Sequence, residues 1–209
     1  MPHSLDELLG LLRNPTALIT AVGTIGVTTI VFIETGLLFP FLPGDSLLVT
    51  AGLLASKLDG PIQLDVITLG VLCTIASVVG NQVAFLIGRR AGRALFARPD
   101  SRWFKRKHLE QAQAYYDKHG GKTIVIARFM PIIRTFAPVV AGIADMKPAV
   151  FLFYNVVGGA AWVWSMLLIG YLLAVHVPIV GEHIEALIVV IVLLSLMPAG
   201  IAWLKSRRQ

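Results

Sequence analysis

Long apolar runs separated by short polar stretches dominate the pattern of this chain. Four of these runs approach or exceed the roughly 20 residues that an α-helix needs to cross the hydrocarbon core of a bilayer. The pattern therefore predicts transmembrane helices with the approximate bounds 16–35, 66–88, 149–175 and 184–204.

Two further apolar segments, at about 37–56 and 123–143, are interrupted by charged residues and prolines. The first follows Glu34 and contains Pro40, Pro43, Gly44 and Asp45. The second contains Arg128, Pro131, Arg134 and Pro138. Lipid solvates neither an ionisable group nor the backbone that a proline leaves unpaired, so both segments must be buried in protein or line a wet cavity. Two broken segments in corresponding positions of two halves are typical of a transport site.

Composition places the chain in the membrane class. Of 209 residues, 56% are hydrophobic and 14% are charged, which is outside the range of soluble proteins. We therefore predict an all-α integral membrane protein with a single membrane domain over residues 1–209. The lone Cys73 lies within a predicted span, which excludes an internal disulfide and a cysteine-based metal site. His176 and His183 flank a predicted outer loop that we interpret as solvated, and no metal or other cofactor is expected.

Positive charge is concentrated in the loop 89–122, which is rich in arginine and lysine, and the whole chain has a net charge of +6. Between two membrane segments, such a run is more typical of a cytoplasmic loop than of a nucleic-acid site. The tail Lys205-Ser206-Arg207-Arg208 is predicted to be cytoplasmic by the same rule.

These two basic segments determine the predicted topology. If 123–143 crossed the bilayer, three spans would separate the basic loop from the basic tail and place them on opposite sides. We therefore predict that 123–143 is a re-entrant hairpin that returns to the cytoplasm near Asp145 and Lys147. By the same parity 37–56 is re-entrant from the outer face, and both termini are cytoplasmic. The two hairpins, each followed by a transmembrane helix, then form an inverted repeat.

Glycines in the spans that follow the hairpins support the repeat. One half contains Gly80 and Gly88, and the other contains Gly158, Gly159 and Gly170. Small residues at these positions are expected to let helices approach closely.

The four charged residues of the broken segments suggest a chemistry. Arg128 and Arg134 can hold a phosphate through paired hydrogen bonds, and Glu34 and Asp45 can neutralise the arginines when no substrate is bound. Desolvation favours the protonated form of a carboxyl group, so competition between phosphate and carboxylate couples substrate binding to proton uptake. Alternatively, the four residues are buried ion pairs that only lock the hairpins together.

Other functional classes fit less well. A membrane phosphatase needs histidines at its site, and no histidine lies in either hairpin, so we do not expect an enzyme. A proton-coupled exporter of small solutes would use the carboxylates but has no evident need for Arg128 and Arg134. A non-transporting assembly factor in the membrane stays open as an alternative.

Several motifs resemble the DedA family of bacterial inner-membrane proteins, also described as SNARE-associated or VTT-domain proteins. The motifs are Phe32-Ile33-Glu34-Thr35-Gly36, Pro40-Phe41-Leu42-Pro43-Gly44-Asp45, Gly88-Arg89-Arg90-Ala91-Gly92 and the stretch from Ala127 to Pro138. The resemblance implies two re-entrant hairpins and the movement of phospholipid-like molecules between leaflets. For some members the cargo is undecaprenyl phosphate, and proton coupling and envelope homeostasis are attributed to the family.

The resemblance also assigns roles to residues. It places the essential acidic pair on Glu34 and Asp45 and the essential arginine pair on Arg128 and Arg134. The implied partners are a polyprenyl phosphate or phospholipid, membrane lipids and protons. The chain departs from the family at Asn81, where many members have an acidic residue, and at Phe85, where a tyrosine is frequent.

Overall fold

The structure, a computed structural model, describes residues 15–37, 44–56, 64–96, 116, 118 and 120–176. Within these ranges every regular element is a helix. The helices are α1 (Pro15–Gly36), α2 (Gly44–Ala55), α3 (Val66–Phe96), α4 (Lys122–Ala127), α5 (Pro131–Ile143) and α6 (Pro148–His176). Outside the described residues lie Pro40, Pro43, His183, the predicted span 184–204, the basic tail and most of the loop 89–122.

Helices α3 and α6 are long and apolar enough to cross a bilayer, over Val66–Ala91 and Pro148–His176. Within the most apolar 18 residues of each helix, 44% of α3 and 33% of α6 are buried in the protein. Large side chains such as Ile67 and Phe153 are more than half exposed. Because the core helix of a soluble protein would bury this surface, an apolar face that points outward indicates lipid.

Helix α1 covers the predicted span 16–35 but is not straight. Gly23 has φ 60 and ψ −162 within it, a backbone conformation that is strained for residues with a side chain. The apolar stretch Val22–Gly36 is therefore shorter than the roughly 20 residues of a full span.

The second broken segment is interrupted where the sequence predicts it. The chain leaves helical geometry after α4, and Met130 is extended with φ −118 and ψ 102 before Pro131 begins α5. Proline is well suited to this first position because its missing N–H would have no partner in the helix. Helices of six and 13 residues measure about 9 and 20 Å, short of the roughly 30 Å hydrocarbon core. The interruption is confirmed, whereas the re-entrant path stays a prediction.

The described helices belong to two compact units. Among the described residues, the first unit holds α1 up to Val31, all of α2, α3 up to Ala76 and α6 from Trp162. The second holds the end of α1 from Phe32, α3 from Ser77, all of α4 and α5, and α6 up to Ala161.

In the first unit, α2 packs on α6 through two glycines that face backbone carbonyl groups. A Cβ atom added to Gly52 would lie 2.1 Å from the carbonyl oxygen of Leu167. One added to Gly170 would lie 1.9 Å from the carbonyl oxygen of Val49. No side chain fits at either position, so the two backbones approach as closely as helices can.

In the second unit, α5 packs on α3 in the same manner. A Cβ atom on Gly142 would lie 2.1 Å from the carbonyl oxygen of Phe85, and one on Gly88 would lie 2.1 Å from that of Val139. The expectation that glycines permit close helix approach is confirmed at Gly88 here and at Gly170 in the first unit.

Polar contacts involve α3 at its start and again at Arg89. At its start, Asp65 accepts a hydrogen bond from the backbone N–H of Thr68 at 2.7 Å. Hydrogen bonds from the side chain and backbone of Thr68 lower the pKa of Asp65, which favours its ionised form. The start of the helix is therefore capped by a carboxylate. Further along α3, Arg89 pairs with Asp145 at 2.9 Å, next to the end of α5. The pair brings the start of the basic loop beside the turn at 145–147, and their cytoplasmic location stays a prediction.

Candidate functional site: a buried arginine pair

A buried ion pair joins Glu34 to Arg134. Nη2 of Arg134 donates a hydrogen bond to Oε1 of Glu34, and the two side chains are only 9% and 2% exposed. Glu34 lies near the end of α1 and Arg134 in the first turns of α5. Neither charge faces lipid or bulk water, so each needs the other or another polar partner.

Arg128 is buried beside neutral side chains. It is 2% exposed and sits at the C-terminal end of α4, where the helix breaks. Its Nη1 donates a hydrogen bond to Oγ of Ser77 at 2.6 Å, and its Nη2 donates to Oδ1 of Asn155. Asn155 is held in turn, because its Nδ2 donates to the carbonyl oxygen of Val78 at 2.9 Å.

Asn81 is a further neutral partner of Arg128. The amide orientation that satisfies both of its neighbours places its oxygen 2.7 Å from Nη2 of Arg128 and its nitrogen 3.2 Å from the carbonyl oxygen of Thr35. Position 81, where this chain departs from the family that it resembles, is therefore in direct contact with one of the two arginines.

Two glycines of α6 leave room for the Arg128 side chain. A Cβ atom on Gly158 would lie 3.1 Å from its Cδ, and one on Gly159 would lie 3.4 Å from its Nη2. The first distance is tighter than ordinary contact, so a side chain at 158 would require its neighbours to shift by a few tenths of an ångström.

Asp45 belongs to the first unit, whereas Glu34, Arg128 and Arg134 belong to the second. It lies in the first turn of α2, where the helix dipole favours negative charge. Its Oδ1 accepts a hydrogen bond from Nε1 of Trp162 at 2.8 Å. That Asp45 shares a site with the arginines stays a prediction.

The residues predicted to shape the hairpins fall in three groups. Gly44 begins α2 and Pro131 begins α5, so both mark helix starts next to the breaks. Pro138 lies buried inside α5. Pro40 and Pro43 are outside the described residues, and their role stays a prediction.

Sequence reasoning missed the partners of the charged residues. It left Ser77, Asn155 and Trp162 unmentioned, yet the first two bind Arg128 and Trp162 binds Asp45. A signal was present, because an asparagine within an apolar helix is costly unless it has a hydrogen-bond partner. Asn81 and Asn155 both fit that description.

The arrangement in the second unit can receive an anion. Arg128 precedes and Arg134 follows the start of α5 at Pro131, where the helix dipole is positive. Two guanidinium groups and one carboxylate leave an excess of positive charge among these three side chains. Guanidinium groups match phosphate geometry through paired N–H donors. Among the described residues, no cluster of three or more histidine, cysteine or acidic residues could hold a metal ion.

Comparison with known proteins gives consistent matches. Residues 42–172 match the family model described as the VTT domain. Protein DedA of Escherichia coli is 45% identical over 180 residues, covering 86% of this chain and 81% of DedA. A membrane protein of Mycobacterium tuberculosis is 48% identical over 177 residues, covering 83% of this chain and 75% of that protein. The inner membrane protein YghB of Salmonella typhimurium is 31% identical over 173 residues, covering 81% of this chain and 77% of YghB. No solved structure matches.

Proposed function

Because the chain belongs to the VTT-domain (DedA) family, we propose that it is a transporter that moves a phosphate-bearing lipid between the leaflets of the bacterial inner membrane. The proposed cargo is undecaprenyl phosphate or a related phospholipid. Both have an anionic phosphate head group. This group must cross the apolar core of the bilayer, and a protein site that binds the phosphate would make the crossing possible.

The observation that carries the proposal is the burial of both Arg128 and Arg134 at a break between two short helices. Burying a guanidinium group is costly unless it is compensated, so two of them with one carboxylate ion-paired to them in the described part of the chain support a site that binds an anion. A zwitterionic or neutral solute would not require this excess of positive charge.

An inverted repeat of two re-entrant hairpins is the architecture that we propose around this site. In each unit the short helix has a glycine three residues after a residue whose carbonyl oxygen faces a glycine of the long helix, at 49 and 52 in α2 and at 139 and 142 in α5. The long helices repeat the spacing, at 167 and 170 in α6 and at 85 and 88 in α3. Equal spacing at four contacts supports a common structural unit that occurs twice.

Proton coupling follows from the pair of Glu34 and Arg134. A phosphate that binds Arg134 competes with the Glu34 carboxylate, and a protonated Glu34 no longer holds the arginine. Protons would therefore assist loading of the site. Both termini and the loop 89–122 are assigned to the cytoplasm in this proposal.

Reconstitution tests the proposal directly. Purified protein is placed in vesicles that carry labelled undecaprenyl phosphate in one leaflet, and its appearance in the other leaflet is followed over time. We expect movement faster than in protein-free vesicles, and little movement of labelled undecaprenol, which lacks the phosphate. Folded protein that moves neither lipid would favour the alternative of a non-transporting assembly factor, and movement of small cations alone would favour an exporter.

A further inference from the structure

A cavity of about 330 Å³ lies in the second unit, beside the turn that joins α5 to α6. It is lined by Tyr116, Gly120, residues 144–147 and Val150. The lining residues Tyr116, Ala144 and Met146 belong to a buried hydrophobic cluster, so packing holds this part of the wall in place. The lining includes neither Arg128 nor Arg134, so the cavity is separate from the arginine pair.

Two charged side chains, Asp145 and Lys147, line the cavity, and they differ in their partners. Asp145 is paired with Arg89 at 2.9 Å. Lys147 is exposed, and in the described part of the chain no carboxylate lies within ion-pairing distance of it. Two cationic groups and one carboxylate leave an excess of positive charge here, which favours an anion over a cation.

The cavity shares Val150 with an apolar strip of α6 that points outward. Phe153 and Val157 follow Val150 at helical spacing, so the three side chains lie on one face of the helix, and all three are exposed. Because α6 is long and apolar enough to cross a bilayer, this strip is expected to contact the acyl chains of lipids.

The size and position of the cavity suit the head group of a lipid. Pockets for small ligands measure roughly 300–1,000 Å³, so this cavity is large enough for a polar head group and too small for a whole lipid. Arg89, Asp145 and Lys147 lie near the start of a candidate span, and charged groups of this kind are expected at the membrane surface because the hydrocarbon core does not solvate them. Phospholipid head groups lie at the same level.

We propose that this cavity binds the phosphate head group of an anionic phospholipid, with Lys147 contacting the phosphate and an acyl chain lying along Val150, Phe153 and Val157. Basic pockets of membrane proteins near the membrane surface bind anionic lipids in this way. A soluble phosphate would use the lysine but not the strip, and a neutral lipid would use the strip but not the lysine. The site goes beyond the proposed function, because this lipid stays bound at the surface and is not the cargo.

Occupancy of the cavity bears on the helix that carries Arg134. The hydroxyl group of Tyr116, which lines the cavity, donates a hydrogen bond to the carbonyl oxygen of Ala137 in α5 at 3.2 Å. The turn 144–147 follows the end of the same helix. A lipid held between these groups would stabilise the position of α5, since a ligand that binds only the folded state stabilises it.

Photolabelling locates the lipid. The probe is phosphatidylglycerol with a photoreactive group in one acyl chain, added to the full-length protein in phosphatidylcholine vesicles, and mass spectrometry identifies the labelled peptides. We expect saturable labelling within residues 150–157 that unlabelled phosphatidylglycerol prevents. Inorganic phosphate and diacylglycerol each supply half of the chemistry and should compete at least about tenfold more weakly.

Lys147→Glu tests the charge, because it replaces the cation at the cavity with an anion. The concentration of phosphatidylglycerol needed for half-maximal labelling is expected to rise at least about tenfold. Lys122→Glu is the matched control, since Lys122 is also exposed but does not line the cavity, and its labelling should match the parent.

Val150→Trp tests the position without a change of charge, because a larger side chain narrows the cavity where it meets the strip. Labelling is expected to fall as in Lys147→Glu. Val156→Trp is the matched control: Val156 is exposed on another face of α6, and its labelling should stay parental. The two tests are independent, so a poorly folded protein in one of them leaves the other decisive.

Three results would overturn the inference. Labelling that does not saturate, or that is parental in both Lys147→Glu and Val150→Trp, would identify ordinary bilayer lipid around α6. Competition by inorganic phosphate as strong as that by phosphatidylglycerol would make the cavity a site for free phosphate. Labelling that falls equally in Lys147→Glu and Arg128→Lys would assign the lipid to the transport site.

Discussion

Glu34 and Arg134 form a buried ion pair although one hundred positions separate them in the chain. The pair ties the end of α1 to the first turns of α5, which follows the break in the second apolar segment. Each charge is tolerated inside the protein because the other is present. Removal of either side chain alone and removal of both should therefore have different consequences.

Arg134→Ala is expected to lower the free energy of unfolding by about 3–5 kcal/mol, because it takes the guanidinium partner away from a buried carboxylate. The double variant Glu34→Gln with Arg134→Met, in which no charge remains, should recover much of this loss. Chemical unfolding in detergent measures both. Arg89→Ala is the matched control: its partner Asp145 is 63% exposed, so the loss should stay below about 1 kcal/mol. Equal losses in Arg134→Ala and Arg89→Ala would contradict the importance of the buried pair.

Proton coupling can be tested at Glu34. Glutamine has nearly the same shape as glutamate but cannot take up a proton, so Glu34→Gln should remove the pH dependence of lipid movement and leave lipid binding measurable. The measurement is the rate of transbilayer movement of undecaprenyl phosphate in vesicles between about pH 5.5 and 8. Buried carboxyl groups can titrate in this range because burial disfavours their charged form. Movement that keeps its parental pH dependence in Glu34→Gln would transfer the proton role to Asp45.

The contact between Asp45 and Trp162 should stabilise the first unit. Trp162→Phe keeps most of the apolar ring and removes the N–H that donates to Asp45 at 2.8 Å. A hydrogen bond to a charged group contributes about 1.5–3 kcal/mol, and we expect a loss of that order in thermal or chemical unfolding. Trp164→Phe is the matched control, because Trp164 packs its ring against Gly70 and should lose less. A smaller loss in Trp162→Phe than in Trp164→Phe would show that the indole N–H is unimportant.

Much of the architecture was predictable because bilayer thickness leaves few choices to a chain of this hydropathy. The long helices α3 and α6 follow from runs of apolar residues, and the break before α5 follows from Pro131 and the charged residues beside it. The bend of α1 at Gly23 was not predicted, since a single glycine within an apolar run is compatible with a straight helix.

The site was predictable in its charges but not in its partners. The cost of burying an ionisable group singles out Glu34 and Arg134, but it does not say which carboxylate pairs with which arginine. The contacts of Arg128 with Ser77 and Asn155 depend on how three helices pack, and that packing brings together residues far apart in the chain. Polar residues in apolar helices indicate that partners exist without identifying them.

The matching glycine contacts of the two units predict matching sensitivity. Gly52→Ala and Gly142→Ala each place a Cβ atom 2.1 Å from a backbone carbonyl oxygen that cannot rotate away. Overpacking of this kind typically costs about 1–3 kcal/mol, and we expect at least that loss for each variant in unfolding experiments. Ile75→Ala on α3 changes a side chain that is 54% exposed and should have a much smaller effect. A large loss for one glycine and none for the other would contradict a repeated structural unit.

Arg128 is central to the proposed function. Its guanidinium group is buried and held by neutral side chains, and its Nε has no acceptor among the residues that the structure describes. The most direct test is the rate at which reconstituted Arg128→Lys moves labelled undecaprenyl phosphate between leaflets, compared with the parent protein at equal amounts of folded protein. Lysine keeps the charge but loses the planar fork of donors, so we expect the rate to fall at least about tenfold while stability changes little. Parental rates of lipid movement in folded Arg128→Lys would contradict the role of Arg128 as the phosphate-binding residue.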